Sequence, residues 1–209
     1  MIKKLDKLKE SISVNRKIVV FLIGLSLVGI LLGSFYTVLL QDADKTLVKD
    51  YMTDFIGQVQ TGKMDVVKGF LNNVLSTSLF VLPVWLLGIS VIGVPIIIFM
   101  YFSKTFVMGF SIASFILNMK AKGALLSFLY IFPHGIITLG LYILLLNYAV
   151  TLSIKIVNSF VKKKSIDFKN IMYKYSIILA ICFGGTLLMN AYESFLLPKI
   201  LHFVLGILK

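Results

Sequence analysis

The chain has 209 residues, of which 58% are hydrophobic and 14% charged, and it carries a net charge of +12. A soluble domain is about 45–50% apolar and about 25% charged, so these values exclude a soluble or disordered protein and point to a single integral membrane domain over residues 1–209. The positive charge is not a nucleic-acid patch, because the lysines lie in short segments between apolar runs, where topology signals belong.

Residues 1–17 hold six Lys/Arg against Asp6 and Glu10, which predicts a cytoplasmic amphipathic helix at the membrane surface. The apolar run Ile18–Leu40 follows. It exceeds the roughly 7–15 residues of a signal-peptide core, and no small-residue cleavage site follows it, so it reads as the first span. Residues 41–70 are the longest polar stretch, with five Asp and four Lys, and read as an extracytoplasmic loop. Leu47, Tyr51 and Phe55, with Val48 and Met52 beside them, recur at helical spacing and predict a helix over Lys45–Val59 with a turn at Gly62. Such a helix either rests on the lipid or the bundle, or offers a partner-docking surface through Tyr51, Asp54 and Phe55.

Residues 69–103 carry no charge. A continuous helix of that length would run about 50 Å, too long for a hydrocarbon layer of about 30 Å. Gly93-Val94-Pro95 is the expected break, since Pro ends the hydrogen-bond ladder and Gly permits a tight turn. Span two is then Leu71–Ile92 and span three Pro95–Asn118, with Lys104 buried inside it. The alternative extends span two to Phe102 and puts Lys104 at the boundary. Both give the same number of crossings.

After the short loop 119–123, residues 123–154 are again uncharged. The same length argument puts a break at Pro133-His134-Gly135, with a re-entrant or interfacial half-helix over Ala124–Phe132 and span four over Gly135–Ile154. Residues 155–170, with five lysines, form a basic cytoplasmic loop, and span five covers Tyr175–Leu197. A tail follows Pro198. Five spans with the N-terminus inside put thirteen of the 21 Lys/Arg on the cytoplasmic side, which favours N-in and C-out. Residues 41–70 and the tail then share the outer face.

Gly29 and Gly33 in span one, and Gly109 and Ala113 in span three, are spaced for close helix approach. They favour packing within the chain and permit a homodimer. His134 reads as structural, hydrogen-bonding carbonyls freed by Pro133. A ligand or metal site would need neighbours, and Glu193 and His202 are remote in sequence. Glu193 is expected to face the interface or to pair with a lysine such as Lys199. Lys104 and Glu193 are the buried-charge candidates. The one cysteine, Cys182, excludes an intrachain disulfide and reads as a packing residue. No phosphate-binding loop, zinc-protease, nucleophile-elbow or carboxylate-pair signature is present, and no cofactor is implied.

Several stretches in order resemble the stage II sporulation protein M family of endospore-forming bacteria. They are "LVGILLGSFY", "DFIGQVQTGK", "WLLGISVIGVPIIIFMYFSKTFVMGF", "FLYIFPHGI" and "AYESFLLPKIL". Members of the wider family carry a Glu three residues after the glycine of Pro-His-Gly. Here that position is Thr138, which argues against a polar network on the histidine. The resemblance implies a non-enzymatic membrane scaffold at the sporulation septum. It would anchor two peptidoglycan-degrading partners, stage II sporulation proteins D and P, during wall thinning and engulfment. The alternative is a transporter or channel component built on the broken helices.

Overall fold

The computed structural model describes residues 14–62, 64–162 and 168–207. The N-terminal segment expected to be amphipathic falls almost wholly outside them. Among the described residues seven helices follow in order: α1 Arg16–Leu39, α2 Asp42–Thr61, α3 Val66–Leu87, α4 Gly93–Tyr130, α5 Phe132–Lys162, α6 Phe168–Ala191 and α7 Leu197–Ile207, with a π-turn over Tyr192–Leu196 between the last two. Among the described residues, five stretches are long and apolar enough to cross a membrane: α1, α3, α4, α5 and the α6–α7 run. The architecture is all-α and polytopic.

Asn15 caps α1 by accepting from the Lys17 amide, and its own backbone is clamped by Asn147 of α5, whose amide donates to the Asn15 carbonyl at 2.9 Å. One stripe of α1, Leu22, Ser26, Gly29, Gly33 and Thr37, is buried, while Val20, Leu31 and Phe35 face outward. The stripe lies along α4. Added Cβ atoms would overlap Thr105 at Gly29, the Phe106 carbonyl at Gly33 and the Ile30 carbonyl at Gly109. With no hydrophobic drive in lipid, this backbone approach is what holds the pair. Ser26 bonds Tyr101, Ser34 donates to the Gly109 carbonyl at 3.1 Å, and Thr37 donates to that of Phe110 at 3.4 Å. These partners rise together, so α1 and α4 are parallel, and the glycine faces pack within the chain. Ala113, one turn past Gly109, is half-buried.

Asp42 and Asp44 lie in the first turn of α2, where the helix dipole favours negative charge, and Gly62 ends the helix at φ 65° as expected of a left-handed cap. The inward face is Ile56 and Val59, with Met52 and Phe55 packed beside them. Leu47 and Tyr51 point outward, so the apolar stripe expected through them is rotated from the one that packs.

α3 stops at Leu87, and the chain turns over Gly88–Ile92. The break therefore precedes Gly93-Val94-Pro95. Pro95 sits in the first turn of α4, where a missing N–H costs nothing. Gly93 lets the chain pass the Leu87 carbonyl, and the Tyr175 hydroxyl donates to the Trp85 carbonyl at 3.1 Å. Lys104 lies eleven residues past Gly93, about 16 Å along α4 at 1.5 Å per residue. That is near mid-depth, and it overturns the alternative boundary placement.

α4 reverses at Lys120, whose φ of 51° is non-helical. The segment from there to Tyr130 folds back along the helix it leaves. Ser127 bonds the Ile112 carbonyl at 3.4 Å, and Gly123 lies against the Phe115 carbonyl. This is the expected half-helix. The second break falls at Ile131, and Pro133-His134-Gly135 lies in the first turn of α5. α5 then stays helical to Lys162, so the basic segment from 155 begins as helix, and residues 163–167 lie outside the described ones.

α3 and α6 are antiparallel: Asn190 donates to Thr77 at 2.9 Å, while Trp85 stacks on Tyr175 a few turns away. The main core, including Leu22, Phe80, Ile97, Leu145, Leu146 and Cys182, fills the bundle toward the Arg16 end. A second cluster, Ile56, Val59, Phe115, Leu126 and Leu201, joins α2, the half-helix and α7 at the opposite end.

Candidate functional site

Between α3, α4, α5 and the π-turn lies a cavity of about 370 Å³ whose largely apolar wall carries a set of polar and charged side chains. Asn73, Ser76 and Thr77 share one face of α3, because positions i, i+3 and i+4 coincide on a helix. Lys104 projects from α4, His134 and Thr138 from consecutive turns of α5, and Asn190 and Glu193 from the end of α6 and the π-turn.

Glu193 is the centre of the polar network. Its Oε2 accepts from Asn73 Nδ2 at 3.1 Å and lies 3.3 Å from His134 Nε2, and its Oε1 accepts from the Tyr130 hydroxyl at 3.1 Å. The histidine is within ion-pair range, although its N–H is not aligned for a hydrogen bond. The π-turn, closed by the Leu197 N–H on the Tyr192 carbonyl, brings both Glu193 and Ser194 against Asn73. Single π-turns recur at functional sites. On α5, Gly135 makes room for the Met108 methyl, which a side chain at 135 would displace.

These contacts correct three expectations. His134 faces a carboxylate rather than freed backbone carbonyls. Glu193 pairs with His134, not Lys199. The absence of Glu at Thr138 does not dissolve the network, because Glu193 supplies the carboxylate from another helix, while Thr138 lines the same cavity with its buried hydroxyl unpartnered. Asn73, Tyr130 and Asn190 were not anticipated. The signal for the first was the row Asn73, Ser76, Thr77 on one face of a span.

Lys104 Nζ donates to Ser76 Oγ at 3.1 Å and lies 5.8 Å from the centre of the Phe80 ring. No described carboxylate forms an ion pair with it. Among the described residues, no group of three or more His, Cys, Asp and Glu side chains could hold a metal ion.

Of the residues expected to meet a partner, Tyr51 and Asp54 are exposed on α2. Phe55 is not free. Its ring packs on Phe115 at 6.3 Å and on Tyr130 at 5.4 Å between centroids.

Among the described residues, five stretches long and apolar enough to cross a membrane define a multi-pass membrane protein. The family model described as stage II sporulation protein M matches residues 18–196, and the chain belongs to that family. It is a sporulation-related membrane protein. No curated protein and no solved structure matches it.

Proposed function

We propose that the protein is a non-enzymatic scaffold that holds peptidoglycan-degrading partners, stage II sporulation proteins D and P, at the septum during wall thinning and engulfment. Its N-terminus is cytoplasmic in this reading, by the asymmetry of Lys and Arg, and α2 and α7 face the partners. One observation carries the reading. α2 is fastened to the bundle by Phe55, Ile56 and Val59, yet it keeps Leu47, Tyr51 and Asp54 exposed on its other side. A helix packed on the bundle by one face and exposed on the other suits recruitment better than catalysis.

The test is co-purification of both partners from sporulating cells with Tyr51→Ala/Asp54→Lys protein, leaving Phe55 intact. Loss of the partners at normal membrane abundance supports the proposal. Full retention refutes the assignment of this face.

The cavity lined by both Lys104 and His134 favours a second reading, in which a polar solute or proton passes through the bundle. His134→Ala with Lys104→Met is the discriminating pair. Normal sporulation in the double variant would eliminate transport as the function.

A further inference from the structure

Lys104 also borders a second space. A lateral groove of about 600 Å³ opens between α3 and α4 and is lined by Asn72, Ser76, Leu79, Phe99, Ser103 and Lys104 among others. Leu79 and Phe99 are 65% and 68% exposed, so the groove faces the surroundings of the bundle, which at this level are lipid. Asn72 and Ser76, one turn apart on α3, are also exposed there. Polar groups facing hydrocarbon at mid-depth are costly without partners. Ser76 accepts from Lys104, but no described carboxylate answers the ammonium.

We propose that this groove receives a single membrane helix of another protein, carrying Asp or Glu near its midpoint, which pairs with Lys104 while Asn72 and Ser103 bond its flanking polar groups. The proposal rests on the scaffold reading and names the membrane half of the partner contact. Charge complementarity selects the occupant. Acyl chains leave the ammonium and amide unpaired, and anionic lipid headgroups lie at the bilayer surface, about 15 Å away. A second copy of this chain is unsuitable, because the sole carboxylate in its spanning runs is Glu193, already held by Asn73, Tyr130 and His134.

The experiment uses full-length protein in zwitterionic vesicles with a photocrosslinking phenylalanine at position 99. The probes are synthetic Leu/Ala membrane peptides bearing Glu, Leu or Lys at the centre. The Glu peptide is expected to crosslink roughly 5- to 30-fold more than the Leu peptide, the range for one interhelical polar contact in model peptides. Lys104→Met abolishes that advantage, and Lys104→Glu transfers it to the Lys peptide, a gain that misfolding would not produce. Equal capture of the Glu and Leu peptides by the wild-type protein overturns the proposal. So does an advantage that survives Lys104→Met, or one that anionic lipid removes, which would make the groove a lipid site. If the peptide preference is absent while the Tyr51/Asp54 variant still loses its partners, the groove fails and the scaffold stands.

Discussion

Gly33→Ala probes the contact that unites α1 with the rest of the bundle. An added Cβ would overlap the Phe106 carbonyl and approach the Phe110 amide nitrogen to 2.9 Å. Both are backbone atoms of α4, so no side chain can rotate away, and the helices must separate. Overpacking of this kind costs about 1–3 kcal/mol. Separation also strains the bonds of Ser34 and Thr37 to the Gly109 and Phe110 carbonyls, at about 0.6 kcal/mol each in a membrane bundle. The total is a loss of about 2–4 kcal/mol, less a part returned by the better helix propensity of alanine. Gly24 is the matched control in the same helix, because nothing lies within 4 Å of its Cβ position. Thermal unfolding in a mild detergent should place Gly33→Ala well below the wild type and Gly24→Ala at or above it. Equal melting of the two variants would refute the close-packing argument. Since both faces of this contact lie within one chain, neither variant should change the oligomeric state on size exclusion.

Other outcomes follow from single contacts. Glu193→Ala leaves the buried Tyr130 hydroxyl without an acceptor and Asn73 with Ser194 alone, and at about 1–3 kcal/mol for a stranded buried group it should destabilise more than Glu193→Gln, which keeps an acceptor for Asn73; melting curves of the two variants check the order. Lys120→Gly removes a side chain from a φ of 51°, and should raise stability by about 1 kcal/mol in the same assay if the half-helix reverses there. Phe55→Ala removes the ring between Phe115 and Tyr130 and should loosen α2, seen as faster proteolysis near Gly62 with the spanning helices still protected. Cys182 is fully buried and should react with a maleimide only after unfolding; rapid labelling of the folded protein would show the α5–α6 contact to be wrong.

Where the chain crosses the membrane was readable from residues 18–40, 69–103 and 123–154, because the length of an uncharged helix is limited by the thickness of oil. The two interruptions were readable for the same reason, but their positions slipped. Pro95 and Pro133 are first-turn residues of the helices they begin, so the first chain reversal lies a few residues earlier, at Gly88–Ile92, whereas the second lies at Lys120, inside the short loop expected there, and Ile131 keeps helical backbone angles. On α2, pattern alone placed Tyr51 on the apolar stripe. The face that packs is the one bearing Ile56 and Val59, because Phe115, Leu126 and Leu201 wait on that side.

The site was legible only as isolated exceptions: a lysine, a histidine and a glutamate inside apolar runs. Local sequence singled these groups out as charged or titratable exceptions in apolar runs and marked the glycines of α1 and α4 as packing surfaces, since both depend on composition and spacing along one helix. It did not determine that His134 meets Glu193, or that Lys104 stands between a cavity and an open groove. Those relations join residues on different helices, and they were decided by the parallel seating of α1 on α4, the antiparallel run of α3 beside α6, and the π-turn that aims Glu193 inward.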